Sequence, residues 1–215
     1  MSVKLVTGVL TGALFAIAVA SSPALACKGA TVLLQDDFTD MDPAWDKVFG
    51  EFNVTDGKMV GKTEPGKIGL LIYGGSFFPG ADACVDVIAP TVRDSASIQA
   101  GLGFWAGDSS YFMAIRPDGT AAVHRLTGDG WLKPVPARKF DGIKTGANAV
   151  NSLRVVWKGP PPRGSNAPAD QTVEFFINDR PFIRFKAIPN SNRQLELYVE
   201  SEGAAYQFSK LVVTR

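Results

Sequence analysis

The chain contains one histidine and two cysteines, and its charges nearly cancel. A single histidine, His124, with only Cys27 and Cys84 beside it, argues against a structural zinc site, which needs four nitrogen or sulfur ligands. No G-x-S-x-G occurs, so a serine-hydrolase elbow has no support. Stretches with apolar residues at i, i+3, i+4 and i+7 are almost absent after the first 26 residues, which argues against a helical domain. Lys4 is the one charged residue of those 26, so residues 27–215 carry 21 Lys plus Arg against 21 Asp plus Glu. A nucleic-acid binder would need a basic excess to displace counterions. Attachment to an anionic membrane would need the same. A neutral partner is therefore expected, and no cofactor or metal.

One long hydrophobic run exists. Lys4 precedes the apolar stretch Leu5–Ala20, Ser21-Ser22-Pro23 breaks it, and Ala24-Leu25-Ala26 fits an A-x-A cleavage site. Residues 1–26 thus read as a secretory signal peptide, and residues 27–215 as one domain that works in the periplasm or as a secreted protein. The run is short for a membrane span of about 20 residues. Cys27 follows the site directly, so lipidation is the alternative fate for it. However, Ala24 and Leu25 stand in the reverse of the usual lipoprotein order. In an oxidising compartment an even pair is expected to close a disulfide, Cys27–Cys84.

The rest of the chain is a succession of short β-type runs. Thr55-Asp56-Gly57, Pro117-Asp118-Gly119, Gly128-Asp129-Gly130 and Asn178-Asp179 sit between alternating segments, where hairpins reverse. Strands are expected near 31–34, 51–54, 58–60, 69–73, 83–88, 97–105, 111–116, 121–126, 131–134, 152–158, 172–177, 182–186, 195–201 and 205–213. Many short strands with regular turns imply a sandwich or barrel. Gly159–Asp170, with its three prolines, reads as a long hairpin connection. Trp45 and Trp157 are assigned to the core.

Several segments together resemble the concanavalin A-like, or laminin G-like, jelly roll. They are similar in particular to bacterial secreted domains of the 3-keto-disaccharide hydrolase-like family. The carriers are Asp36-Asp37-Phe38, Trp45 and Phe52–Lys58 at the start, then Gly103-Phe104-Trp105 with Tyr111–Arg116. Asn151–Val155, Phe176–Asp179, Leu197–Ser201 and Phe208–Val213 complete the ordered set. The resemblance implies an all-β, two-sheet antiparallel jelly-roll sandwich, and its family name suggests sugar chemistry.

The sharpest candidate chemistry lies in Glu196-Leu197-Tyr198-Val199-Glu200. Alternate residues of a strand share a face, so Glu196, Tyr198 and Glu200 project together. Two carboxylates beside an aromatic suit glycoside hydrolysis. Family-16 glucanases of this fold carry a related Glu-x-Asp-x-Glu strand, in which Tyr198 would replace the middle acid. The plainer alternative is a solvated outer face, with Leu195, Leu197 and Val199 turned inward. His124 is a further acid-base candidate if the protein is an enzyme. A two-residue turn at Asp118-Gly119 would pair it with Met113 on the apolar face of its hairpin.

The second set is for binding. Trp105, Tyr111, Trp131 and Tyr198 offer aromatic faces on which a sugar ring can stack, with Glu200 and Arg125 to orient it. The acidic run Asp36, Asp37, Asp40, Asp42 and Asp46 lacks the spacing of a calcium loop and reads as a solvated turn. The functions in view are an exported lectin-like domain for a neutral glycan, a glycoside-processing hydrolase acting on a sugar or 3-keto sugar, and an envelope interaction domain without a small ligand.

Overall fold

Alternating apolar residues and paired turn residues fold this chain into fifteen strands and, among the described residues, no helix. The structure is a computed structural model that describes residues 27–91, 97–161, 164–165, 170–186, 188 and 193–215. The leader over residues 1–26 and part of the Gly159–Asp170 loop lie outside them.

In chain order the strands are β1 Val32–Asp36, β2 Trp45–Phe49, β3 Glu51–Thr55, β4 Lys58–Lys62, β5 Gly69–Tyr73, β6 Ala81–Ile88, β7 Gln99–Ala106 and β8 Ser109–Ile115. They continue with β9 Thr120–Thr127, β10 Gly130–Lys139, β11 Val150–Trp157, β12 Val173–Ile177, β13 Arg180–Phe185, β14 Arg193–Glu200 and β15 Tyr206–Thr214. One sheet runs β13-β12-β11-β6-β15-β4-β3, with β1 also on β15. The other runs β10-β9-β8-β7-β14-β5-β2. All pairings are antiparallel.

The inner faces meet in one apolar core. Phe104 of β7 lies 5.4 Å from Trp157 of β11 and 6.3 Å from Phe175 of β12. Each such ring removed from water stabilises the sandwich by about 1.5–3 kcal/mol. Trp45 and Trp157 are both buried, as expected, and each indole N–H finds an acceptor: Asp36 Oδ2 at 2.8 Å and the Phe78 carbonyl at 2.8 Å. Asp36 and Asp42 also accept from the backbone N–H groups of Phe38 and Ala44, which is turn-building work for that acidic run.

The outer face of the first sheet is stapled. Cys27 and Cys84 form a disulfide between the segment before β1 and the middle of β6. Beside it, Arg154 donates to both oxygens of Asp82, each at 2.7 Å, and the backbone N–H of Lys28 donates to Asp82 at 2.9 Å. Arg154 also lies over the Phe176 ring.

Turn chemistry sets the registers. Asp56 and Gly57 have φ of 50° and 67°, Asn178 and Asp179 of 50° and 62°, as two-residue hairpins of the tightest twist require. The β8–β9 hairpin departs from its expected register. Arg116 N–H donates to Thr120 O, so the loop has three residues, Pro117-Asp118-Gly119, with Gly119 at φ 85°. The extra residue pairs His124 with Phe112, not Met113. A one-residue slip moves every side chain to the other face, so His124 leaves the core side for the outer side.

On that outer side β7 contributes Gly101 and Gly103. Their bare backbone lets Phe112 of β8 and Tyr198 of β14 reach across β7 and stack, centroids 5.1 Å apart at 26°. A Cβ on Gly103 would stand 2.5 Å from the Phe112 ring and press on the Tyr111 carbonyl. Gly103→Ala is therefore expected to cost about 1–3 kcal/mol through overpacking. The check is the urea midpoint, and an unchanged midpoint would refute the close approach.

Candidate functional site

β14 alternates as the sequence suggests: Leu195, Leu197 and Val199 are in the main core, and Glu196, Tyr198 and Glu200 face outward. The outer face is not solvated, however. β14 is an interior strand between β7 and β5, and a second apolar cluster of Leu70, Phe112, Ala114 and Tyr198 covers it. Ile68, Ile72 and Leu126 pack on that cluster.

Glu196 is fully buried there. Its Oε1 accepts from the Ser110 hydroxyl at 2.9 Å, and Oε2 has no partner among the described residues. Burial raises its pKa to about 8, against the lowering effect of the Ser110 bond. Glu196 therefore holds its proton at neutral pH.

Two residues along the strand, Tyr198 and Glu200 join a polar network with residues of β7 and β9. Gln99 Nε2 donates to Glu200 Oε2 at 2.7 Å and to the Tyr198 oxygen at 3.2 Å. Tyr198 O–H donates to Glu200 Oε2 at 3.0 Å. His124 Nε2 lies 3.2 Å from Gln99 Oε1, and with the amide so oriented an Nε2–H donates to that oxygen. Burial pulls the His124 pKa down to about 4; Glu200 opposes this, while Arg116 and Lys133 add to it. The imidazole is thus neutral, with Nδ1 as an acceptor. Burial, followed by the Glu200 charge, pushes the Tyr198 phenol up, so it stays protonated.

Trp131 of β10 closes this arrangement from the side. It is 38% exposed, its ring 5.8 Å from His124 edge-on and 5.8 Å from Tyr198. Together these residues line a groove of about 480 Å³ on the outer face of the second sheet. Ile68, Ser97, Arg116, Lys133 and Glu202 complete its walls.

Of the residues singled out from sequence, Trp131, Tyr198, Glu200 and His124 meet here. Glu196 is fully buried and does not line the groove. Tyr111 and Arg125 do not line it either. They pair in register, and Tyr111 points inward, stacked on Phe104 at 5.5 Å with the Arg125 guanidinium 5.4 Å from its ring. The one-residue register difference puts Arg125 opposite Tyr111. Trp105, half-buried, is beside Ser110 and Gln194 at the far end of β7 and is not among the groove residues. Gln99, Arg116 and Lys133 were missed from sequence. Gln99 had a signal, since it shares its parity on β7 with Gly101, Gly103 and Trp105.

No family model and no curated protein matches the sequence. Solved structures do match. The chain is similar to the carbohydrate-binding module CBM66 from Bacillus subtilis, with a TM-score of 0.61 and 12% identity, over 82% of this chain and 99% of that one. It is similar to the catalytic domain of an endo-1,3-β-glucanase (laminarinase) from Thermotoga petrophila RKU-1, with a TM-score of 0.60 and 10% identity, over 85% and 96%. A third likeness is to the Emp46p carbohydrate recognition domain, with a TM-score of 0.59 and 11% identity, over 83% and 94%. The fold is a concanavalin A-like jelly roll. At these identities the likeness shows the fold, and this jelly roll's site has to be read from its own residues.

Proposed function

We propose that this jelly roll is a carbohydrate-recognition domain acting outside the cytoplasm. The carrying observation is the half-exposed Trp131 ring beside the His124–Gln99–Glu200–Tyr198 network. A sugar ring presents an apolar face to an aromatic and hydroxyls to its rim. Trp131 supplies the stacking surface, and Glu200 and His124 Nδ1 supply acceptors for hydroxyls. The solved neighbours that are carbohydrate-binding modules support the reading. So does the disulfide, which favours an exported protein. The zero net charge of residues 27–215 favours a glycan that is neutral over most of its length.

The hydrolase reading is weaker. Glycoside hydrolysis needs two carboxyl groups flanking one scissile bond. Glu200 and Glu202 line the groove, each held by a protein donor, but Glu196, the carboxyl that holds a proton at neutral pH, is fully buried and does not line it. The 3-keto-disaccharide resemblance favours sugar as the ligand and assigns no catalytic residue in the groove.

A glycan array of residues 27–215, with Trp131→Ala alongside, tests the proposal. Specific binding is expected for wild type, weakened about 30-fold in Trp131→Ala, with an unchanged urea midpoint because the ring is partly exposed. Binding that survives Trp131→Ala at full strength would move the ligand elsewhere. The absence of binding to any glycan would favour an interaction domain.

A further inference from the structure

The groove holds four charged side chains, and their bonding is unequal. The two anions are held by protein donors: Glu200 Oε2 by Gln99 and Tyr198, and Glu202 Oε2 by the Ser97 hydroxyl at 3.0 Å. The two cations are not. Among the described residues neither Arg116 nor Lys133 has a carboxylate within ion-pair distance. Arg116 Nε is buried and has no hydrogen-bond partner there. An enclosed guanidinium nitrogen without an acceptor carries a desolvation cost that a ligand oxygen would relieve.

The cations also converge. Arg116 directly follows the β8 strand and Lys133 follows Trp131 by two residues on β10, so both flank the His124 side of the groove. Both act on the charge of His124, though less than Glu200 does. The anions stand on the opposite wall, at the end of β14 and just beyond it. A ligand that fits must present negative charge to one wall and hydroxyl donors to the other, with a ring for Trp131 between them.

We infer that the bound glycan carries a uronic acid unit, its carboxylate placed between Arg116 and Lys133 and its hydroxyls donating to Glu200 and Glu202. This rests on the carbohydrate-recognition reading and deepens it. It departs from a wholly neutral glycan because a groove responds to charges within about 8–10 Å, not to the sum over the chain. A carboxylate suits the site better than a doubly charged phosphate. The planar fork of Arg116 matches two carboxylate oxygens, and a singly charged carboxylate meets less repulsion from the two glutamates in the same groove than a doubly charged phosphate would.

The test uses a panel of oligouronates, each paired with the twin in which every carboxyl is reduced to an alcohol, plus sulfated oligosaccharides. Binding to residues 27–215 is measured for wild type, Lys133→Gln, Arg116→Gln and Trp131→Ala. Lys133 is exposed, so Lys133→Gln leaves folding intact even if Arg116→Gln does not. At least one oligouronate is expected to bind about tenfold or more tighter than its reduced twin. That advantage is expected to fall with added salt and to shrink about tenfold in Lys133→Gln. Equal binding of acid and reduced twin, unchanged in Lys133→Gln, would overturn the uronate assignment and leave glycan recognition standing. Binding of sulfated but not carboxylated sugars would overturn it as well. If no member of the panel and no neutral glycan binds, both readings fall together.

Discussion

Between about pH 6.5 and pH 8 the protein is expected to lose stability as the pH rises, and Glu196→Gln is expected to abolish that loss. The folded state keeps the Glu196 proton up to about pH 8, against 4.5 for the ordinary carboxyl. Between those values unfolding releases a proton, so raising the pH favours the unfolded chain. The full cost above pH 8 is on the order of 4–5 kcal/mol.

His124 works the other way. Its folded pKa of about 4 lies below the ordinary 6.5. Between those values unfolding takes up a proton, so its contribution is present above pH 6.5 and is lost on the order of 3 kcal/mol as the pH falls to 4. From about pH 4.5 to 6.5 the two slopes oppose each other and stability is nearly flat. Above pH 6.5 only Glu196 titrates, and the decline appears. Urea unfolding at pH 5.5, 7 and 9 reads this directly. A wild-type decline that persists unchanged in Glu196→Gln would show that some other group carries it.

Removal of the disulfide is expected to cost about 4 kcal/mol. The bridge joins residues 57 apart, and closing a loop of that length removes that much free energy from the unfolded chain in the chain-entropy model. Both cysteines are buried, packed with Val212. A mild reductant should therefore leave the native protein intact, and the bond should break only when the fold opens. The bridge also anchors Lys28 N–H to Asp82 and Gly29 N–H to the Thr214 hydroxyl. In Cys27→Ala/Cys84→Ala the amides from Gly29 into β1 are expected to exchange faster than those of β6. A double variant with the wild-type urea midpoint and the wild-type exchange pattern would sink both expectations.

Much of the sandwich is legible in the sequence because alternation and turn residues agree. Gly69–Tyr73 is read with its observed bounds, and most other strands shift by one or two residues at an end. β2 is missed because Trp45 is its one buried residue and Asp46 and Lys47 break the pattern. β10 is read as four residues where ten form, because an edge strand exposed on most positions has little alternation to show.

The site is less legible, for physical reasons. One extra loop residue, Pro117, decides which face His124 and Arg125 occupy, and Asp118-Gly119 fits either turn length. The sequence reads Glu196 and Glu200 as solvated or catalytic. Glu196 is fully buried, on an interior strand with Ile72 and Gly103 opposite it, and sequence neighbours do not reveal that. Arg116 and Lys133 are ordinary cations until the fold sets both beside His124.

The groove has walls of different character. Its floor belongs to interior strands, β7, β9 and β14, each held by neighbours on both sides. Trp131 and Lys133 stand on β10, an edge held by β9 alone, and its pairing slips twice between Leu132 and Arg138. An edge so held opens at less cost than an interior strand. Under the proposed recognition reading, the β10 wall, which carries the stacking ring and Lys133, would set how long a sugar stays.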